Sequence, residues 1–353
     1  TSNKPHPVQR RVAELHGSQC GFCTPGIVMS LYTTLCRTSK PTLSDIESSF
    51  DGNLCRCTGY RPILDAAKTF VCDKKKCPSS DAATMPQKPE QEKDVKISSS
   101  TADVLKTFSE DVEKPAFPEA LKSPMAPLKV SGSKVTWYRP TDLATLLMLK
   151  KAEPKAKIVA GNTEVGIETK FKQCEYPMMI SVASVAELQQ LGDAHGQLNI
   201  GGAVSLSRLE HFLEAELVEE KGSSSRGQRY KAMLDMLRWF ASAQIRNVAV
   251  LAGNIATASP ISDMNPVLMA LDAKLVLASA NQAPREVLVK DFFKSYRVVD
   301  MQPAEVICAI KVPVAGDFEF VRSFKQARRR DDDISIVNAC FCVSLKPSAI
   351  PPC

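Results

Sequence analysis

Apolar residues recur every three or four positions through the first part of the chain. Val8, Val12 and Leu15 share one face of a helix predicted over residues 5–19, and Ile27, Val28, Leu31, Tyr32 and Leu35 share one over 27–36. Such a stripe marks a helix packed on one side against a core. Pro41-Thr-Leu-Ser-Asp begins a third helix that turns Ile46 and Phe50 inward, and residues 63–70 supply a fourth. The period predicts an all-α four-helix domain over residues 1–72. It then disappears. Lys, Ser, Pro, Glu and Asp dominate residues 73–96, and prolines recur at Pro115, Pro118, Pro124 and Pro127. Too little apolar surface is present there to offset the entropy of ordering. Residues 73–127 therefore read as a largely disordered linker, with at most a short helix near Val104–Phe108.

Beyond the linker, strands and helices alternate irregularly, an α+β pattern over residues 128–316. Strands are expected at 135–140, 157–160, 178–182, 198–204, 274–278, 285–289 and 305–312. Helices are expected from Thr141, over 185–191, 207–219 and 230–243, and from Asn265, with a polar tip at 222–229. The apolar run Val248-Ala-Val-Leu251 reads as a buried strand, and 252–263 as the loop that follows it. Residues 335–345 read as a strand without partners, an exposed edge of the kind that invites aggregation.

Composition narrows the class. The chain has 353 residues, 44% of them hydrophobic, enough for two or three domains with cores of their own. A net charge of +6 with acids and bases interspersed leaves no nucleic-acid footprint. No apolar run reaches the roughly 18 residues of a membrane span. The opening Thr-Ser-Asn-Lys-Pro carries neither a signal peptide nor an initiator Met. Both point to a cytoplasmic protein seen from an internal start, with the peroxisome as the alternative.

Twelve cysteines are far fewer than the roughly 8–10% of a secreted disulfide scaffold. Four of them are patterned: Cys20 and Cys23 form C-x2-C, Cys55 and Cys57 form C-x-C, and 31 residues separate the pairs. Four thiolates hold either a [2Fe–2S] cluster or a zinc ion. The C-x-C pair is awkward for one tetrahedral zinc, because both ligands leave the backbone at nearly one point. A cluster spreads its ligands over two irons, so the iron–sulfur reading is preferred. Thr24-Pro25 and Thr58 to Pro62 read as helix openings with a hydroxyl cap and an early proline, whose positive ends suit anionic sulfur. Cys36, Cys72, Cys77, Cys174, Cys308, Cys340, Cys342 and Cys353 have no such pattern and read as buried or incidental thiols. His6 and His16 read as exposed or capping side chains rather than further ligands.

Two small-residue turns follow strands, at Gly161-Asn-Thr-Glu-Val-Gly166 and at Ala252-Gly253-Asn254. Neither fits G-x-G-x-x-G or the P-loop pattern, which argues against a Rossmann site or an NTPase. Each alone is an ordinary tight turn. Their order behind the cysteine pairs is informative. QCGFCTPGIVMSLY and GNLCRCTGYRPI resemble the second iron–sulfur domain of the xanthine dehydrogenase/aldehyde oxidase family. IVAGNTEVGIE and QIRNVAVLAGNIATASPISDMNP resemble the FAD domain of the same molybdenum hydroxylases, and the likeness covers most of residues 5–346.

The resemblance implies a multidomain chain: the helical [2Fe–2S] domain, an FAD domain of the vanillyl-alcohol oxidase type, and over 317–353 a truncated start of the flavoprotein's C-terminal subdomain. It implies cluster ligation by Cys20, Cys23, Cys55 and Cys57. Ile158, Val159, Ala160, Gly161, Asn162, Thr163, Glu164 and Val165, with Val250, Leu251, Ala252, Gly253 and Asn254, would bind FAD, Val159 to Val165 and Leu251 to Asn254 wrapping its pyrophosphate through backbone N–H groups. Phe240, Ile307 and Lys325 match further flavin contacts, and Asp263 offers an acceptor to a ribose or adenine donor. Lys325 beside the flavin would stabilise negative charge on its reduced form. Lys325 to Asp333 resembles the loop that controls NAD access, departing from it at Arg328 and Asp331. Tyr296 and the Asp331–Asp333 run are candidates to gate a nicotinamide. Glu164 and Asp332 favour the xanthine dehydrogenase branch over aldehyde oxidase.

No C-x4-C-x2-C ferredoxin pattern precedes Cys20, and nothing matches the molybdopterin half that carries substrate binding. The expectation is thus a partial chain: the electron-transfer part of a purine-oxidising, homodimeric molybdo-flavoenzyme that delivers electrons to NAD+ or O2. The alternatives are an aldehyde oxidase-like chain or a truncated product without activity of its own.

Overall fold

The computed structural model describes residues 5–38, 40–71, 118–123, 125–194, 196–219, 225–313, 316, 318–329 and 333–346. The chain divides into two compact units, Thr1–Lys122 and Ser123–Cys353. Most of the expected linker, with its short helix, lies outside the described residues.

Four helices make the first unit: α1 (Pro7–Glu14), α2 (Thr24–Arg37), α3 (Leu43–Ser49) and α4 (Arg61–Lys68). Their apolar stripes meet in a small core of Val8, Ile27, Leu31, Ile46 and Ile63, each no more than 1% exposed. Capping sets where two of them begin. The His6 ring accepts the Val8 N–H at 3.2 Å, while Gln9 accepts the His6 N–H at 2.8 Å. Thr42 and Asp45 form the same reciprocal box at α3. The first helix is shorter than its period suggests, because His16 turns left-handed (φ 59°) and the Gly17 N–H closes back on the Val12 carbonyl at 2.7 Å. Arg11, only 2% exposed, is held by the carbonyl and hydroxyl oxygens of Thr69.

The second unit contains a four-stranded mixed sheet in the order β1 (Leu128–Ser131), β2 (Thr136–Arg139), β4 (Met178–Ser181), β3 (Lys157–Val159). The β2–β4 and β3–β4 pairs are parallel. A five-stranded antiparallel sheet runs β5 (Leu191–Ala194), β6 (Gln197–Gly201), β11 (Val306–Pro313), β7 (Lys274–Ala278), β8 (Arg285–Leu288). Between β8 and β11 lies a small hairpin of β9 (Phe293–Ser295) and β10 (Val298–Val299). The main core packs Leu198, Ile200, Ile310 and Leu275 from the large sheet with Leu209, Met233 and Leu268 from the helices beside it.

Four expectations are corrected. Residues 248–251 are not a strand: Val250 makes one isolated bridge to Ser205, and Leu251–Thr257 is a helix that buries Leu251, Ala252 and Ile255. A four-residue apolar run has no period long enough to separate the two. The helix expected over 185–191 is a short 3-10 turn, Ala186–Gln189, and Leu191 already begins β5. The helix expected over 230–243 starts within the polar tip, spans Ser225–Leu237, and stops before Ala241, whose φ is 46°. Residues 335–345 do have a partner: β13 (Val337–Ser344) pairs antiparallel along its whole length with β12 (Glu319–Gln326).

Candidate cofactor sites

The four patterned cysteines come together around the starts of α2 and α4. Cys20 and Cys57 are exposed, Cys23 is half-buried, and Cys55 is 8% exposed. Cys20 and Cys57 lie within hydrogen-bonding reach of each other, as do Cys23 and Cys55. Among the described residues, no three His, Cys, Asp or Glu side chains gather tightly enough for a single metal ion. Donors arranged as two facing pairs instead suit two bridged irons, so the donor set fits a [2Fe–2S] cluster.

Local chemistry favours thiolate at one member of each pair. The Thr58 hydroxyl, 3.0 Å from the Cys55 sulfur, and the Thr58 N–H at 3.4 Å pull that thiol down to about 7. The Phe22 N–H, and then Cys57, lower Cys20. Burial raises Cys23, and the hydrogen bond to Cys20 raises Cys57. The hydroxyl caps expected at Thr24 and Thr58 are corrected. Cys23 is the N-cap of α2, with the Thr24 hydroxyl turned to Ser18 at 2.7 Å. Tyr60, left-handed at φ 67°, caps α4, and its OH accepts the Cys55 N–H at 2.9 Å.

In the second unit, a cavity of about 720 Å³ joins both small-residue turns. Ile158, Ala160 to Val165, Phe240, Val250, Ala252 to Asn254, Asp263 and Ile307 line it. Val159 and Leu251 do not; they are 2% and 1% exposed and face the protein. The first turn of the Val165–Lys170 helix and that of the Leu251–Thr257 helix both reach the cavity, and neither N-cap offers a side-chain acceptor. The Gly166, Ile167 and Asn254 N–H groups are taken by the carbonyls of Asn162, Glu164 and Val250, while the N–H groups ahead of them, with Asn162 left-handed at φ 60°, make a cradle suited to an anion. The volume falls within the roughly 300–1,000 Å³ of small-molecule sites. The residues fit a flavin dinucleotide.

Gly161 has a second task besides the one its sequence suggests. A Cβ there would lie 1.9 Å from the Val248 carbonyl oxygen, so the glycine lets the two turns touch each other. Lys325 is also not a cavity residue. Its ammonium, 5% exposed, bonds Asp263 and the Trp239 carbonyl, both at 2.8 Å. Its charge is therefore matched by a carboxylate whose other oxygen takes the Asn338 amide at 3.3 Å. Asp333 and Ile334 line the cavity, while Arg330, Asp331 and Asp332 lie outside the described residues. Tyr296 is 74% exposed at the tip of the β9–β10 hairpin.

Sequence reasoning missed Lys150, Lys157, Glu168 and Glu305, which also line the cavity. Glu168 accepts from Lys157 at 2.8 Å and from the Tyr176 hydroxyl at 2.7 Å. Burial pushes the Glu168 carboxyl up, but those hydrogen bonds and the lysine charges bring it below its ordinary value. No sequence motif marks these positions, because the cavity wall they line is assembled from distant parts of the chain.

Residues 133–315 match the FAD binding domain in molybdopterin dehydrogenase, and residues 1–68 match a [2Fe–2S] binding domain. The chain belongs to the molybdopterin dehydrogenase flavoprotein family. Both cofactors expected from the motifs, the [2Fe–2S] cluster and FAD, belong to the domains this family chain carries. It is 42% identical over 98% of its length to a xanthine dehydrogenase of Dictyostelium discoideum and 44% over 99% to one of Drosophila subobscura. A xanthine dehydrogenase/oxidase of Rattus norvegicus is 40% identical over 99% of the chain. The chain spans 27%, 27% and 26% of those proteins, about a quarter of their length. The family fold extends to quinoline 2-oxidoreductase of Pseudomonas putida 86, with TM-score 0.51 and 22% identity over 59% of this chain and 68% of that one. For a Cu,Mo-CO dehydrogenase the TM-score is 0.52, with 20% identity over 62% and 72%. Among the described residues no helix is long and apolar enough to cross a membrane.

Proposed function

We propose that this chain is the electron-transfer part of a xanthine dehydrogenase-like molybdo-flavoenzyme. Electrons taken from a purine would pass by way of Cys20, Cys23, Cys55 and Cys57 to the flavin cavity and leave to NAD+ or O2. The observation that carries this reading is the convergence of two turns, with Gly161 and Gly253 92 residues apart in the chain, on one cavity beside the aromatic side chain of Phe240. FAD, when bound, would take electrons one at a time from the one-electron cluster and pass them on singly or as a pair.

The protein's own part is positioning. Backbone N–H groups at 161–165 and 251–254 bind the pyrophosphate. Phe240 packs on the flavin, and the Asp263–Lys325 pair supplies an electrically balanced wall next to it. A vanillyl-alcohol oxidase type of FAD domain and homodimeric assembly are part of the same proposal. The cluster and FAD modules that these residues match carry electron transfer in this reading, not xanthine hydroxylation.

The absorption spectrum tests the reading. Flavin and iron–sulfur bands should appear together near stoichiometric amounts, and NADH should reduce the flavin and support transfer to an artificial dye. Flavin absent from protein that holds iron would refute the cavity assignment. Urate formed from xanthine by this chain would overturn the division of labour.

A further inference from the structure

The lining of the flavin cavity falls into two unlike groups of residues. Ala156, Val182, Leu188 and Val306 share one buried core cluster, at 4%, 3%, 1% and 4% exposure, and this shared packing defines the walled end. At the other, Phe240, Ala241 and Ser259 are half-buried, and Ile261 and Ile334 are open to solvent. Lys150 lines the walled end. It stands in the last turn of the Leu143–Ala152 helix and is only 7% exposed.

Its ammonium donates to the carbonyls of Pro154 and Ala156, both at 2.7 Å. An ammonium carries three donors. Among the described residues no carboxylate pairs with Lys150, and no third acceptor takes its remaining proton. A buried charged donor left unmatched is costly, which makes an acceptor supplied by a ligand valuable. Glu305 lines the same cavity at 6% exposure. It is held rigid by Arg285 at 2.7 and 2.9 Å and by the Gln302 N–H at 2.6 Å. The walled end thus presents a fixed donor and a fixed acceptor.

Resting on the flavin reading above, we infer that Lys150 is a positioning residue for the adenosine half of FAD. The isoalloxazine must be reachable by an electron acceptor, so it belongs at the open end with Phe240. The adenosine then occupies the walled end, where its ring nitrogens and ribose oxygens accept from Lys150 and its amino and hydroxyl groups donate to Glu305. Lys150 fixes which way round the dinucleotide lies.

FMN, which has the isoalloxazine and one phosphate but no adenosine, separates this role from a merely structural one. FAD and FMN are titrated separately into the deflavinated chain and followed by flavin fluorescence. Lys150→Met should weaken FAD about tenfold, the scale of a hydrogen bond to a charged group, and leave FMN unchanged. Equal weakening of both would reduce Lys150 to a brace for residues 154–156 and overturn the inference, as would no change in either. Should the methionine variant not fold, Lys150→Gln keeps a neutral donor for the two carbonyls and carries the same comparison. A wild-type chain that binds neither flavin refutes the flavin reading itself. A wild-type preference for FAD that survives in the variant refutes only the role of Lys150.

Discussion

At the scale of single residues, the two glycines of the flavin cavity separate folding from binding. Gly161 has no room: its Cβ would meet the Val248 carbonyl oxygen at 1.9 Å and the Ala249 nitrogen at 2.8 Å. Backbone cannot rotate away as a side chain can. Gly161→Ala should therefore destabilise the second unit by about 3 kcal/mol or more, read as a lower urea midpoint of tryptophan fluorescence. Both tryptophans, Trp137 and Trp239, lie in that unit. Gly253 meets only Val250 Cγ2, at 3.3 Å, and is solvent-facing within a helix. Gly253→Val should keep the urea midpoint within about 1 kcal/mol yet lose flavin, because the new side chain stands in the cradle. Flavin retained in a folded Gly253→Val chain would move the pyrophosphate elsewhere. At the other site, Cys55→Ser should strip the iron while Cys36→Ser keeps it; equal iron loss in the two would defeat the ligand assignment.

The element whose behaviour the sequence least foretold is the β12–β13 hairpin. Residues 337–344 have the apolar composition of a strand, but composition does not say which strand pairs with them. The partner is fixed by packing. Val321 is fully buried against the main core, and the Ser323 hydroxyl donates to the Ala232 carbonyl at 2.8 Å. Arg229 bonds Glu319 and the Pro313 carbonyl, each at 2.6 Å, with both charged side chains below 10% exposure. Breaking a buried pair leaves an unpaired charge, so Arg229→Met should cost about 3–5 kcal/mol. Replacing both partners, as in Arg229→Met with Glu319→Leu, should restore much of that loss. A double variant as weak as the single one would show that the hairpin is pinned by something other than this pair.

For the whole molecule, the two units should respond to different insults. The helical unit has a small core, and domains of that size commonly depend on a metal for stability. Chelating the iron should reduce the helical circular dichroism signal while tryptophan and flavin fluorescence hold. Loss of both together would contradict separate units. Acid should act on the flavin unit. Hydrogen bonds from Arg285 hold the Glu305 carboxyl below its ordinary value of 4.5. At Glu319 burial opposes the shift, but Arg229 and its neighbours win and the value is also lowered. A carboxyl depressed on folding stabilises fully above 4.5, and that contribution is lost as pH falls through the lower folded value. The urea midpoint should thus hold down to about 4.5 and decline below it, and Glu305→Gln should flatten the decline. An unchanged acid limb in that variant would remove Glu305 from the account.

The sequence by itself determined whatever is local or chemically rare. The Cys20/Cys23 and Cys55/Cys57 spacing admits few chemistries, and the helical stripe through Ile27, Leu31 and Leu35 points to one buried face. Strand β7 is legible at its full extent, since Lys274–Ala278 alternates between half-buried and buried positions. Tertiary structure decided the rest, because each case depends on atoms far away in the chain. Val248–Leu251 has strand composition, yet the helix wins once Leu251 and Ile255 find the core. Gly161 reads as a phosphate glycine alone until Val248 is seen against it. Lys325 reads as an unpaired charge until Asp263, 62 residues away, is seen to match it. Lys150 carries no signal at all: a lysine at a helix end is ordinarily solvated, and only the assembled cavity wall buries it.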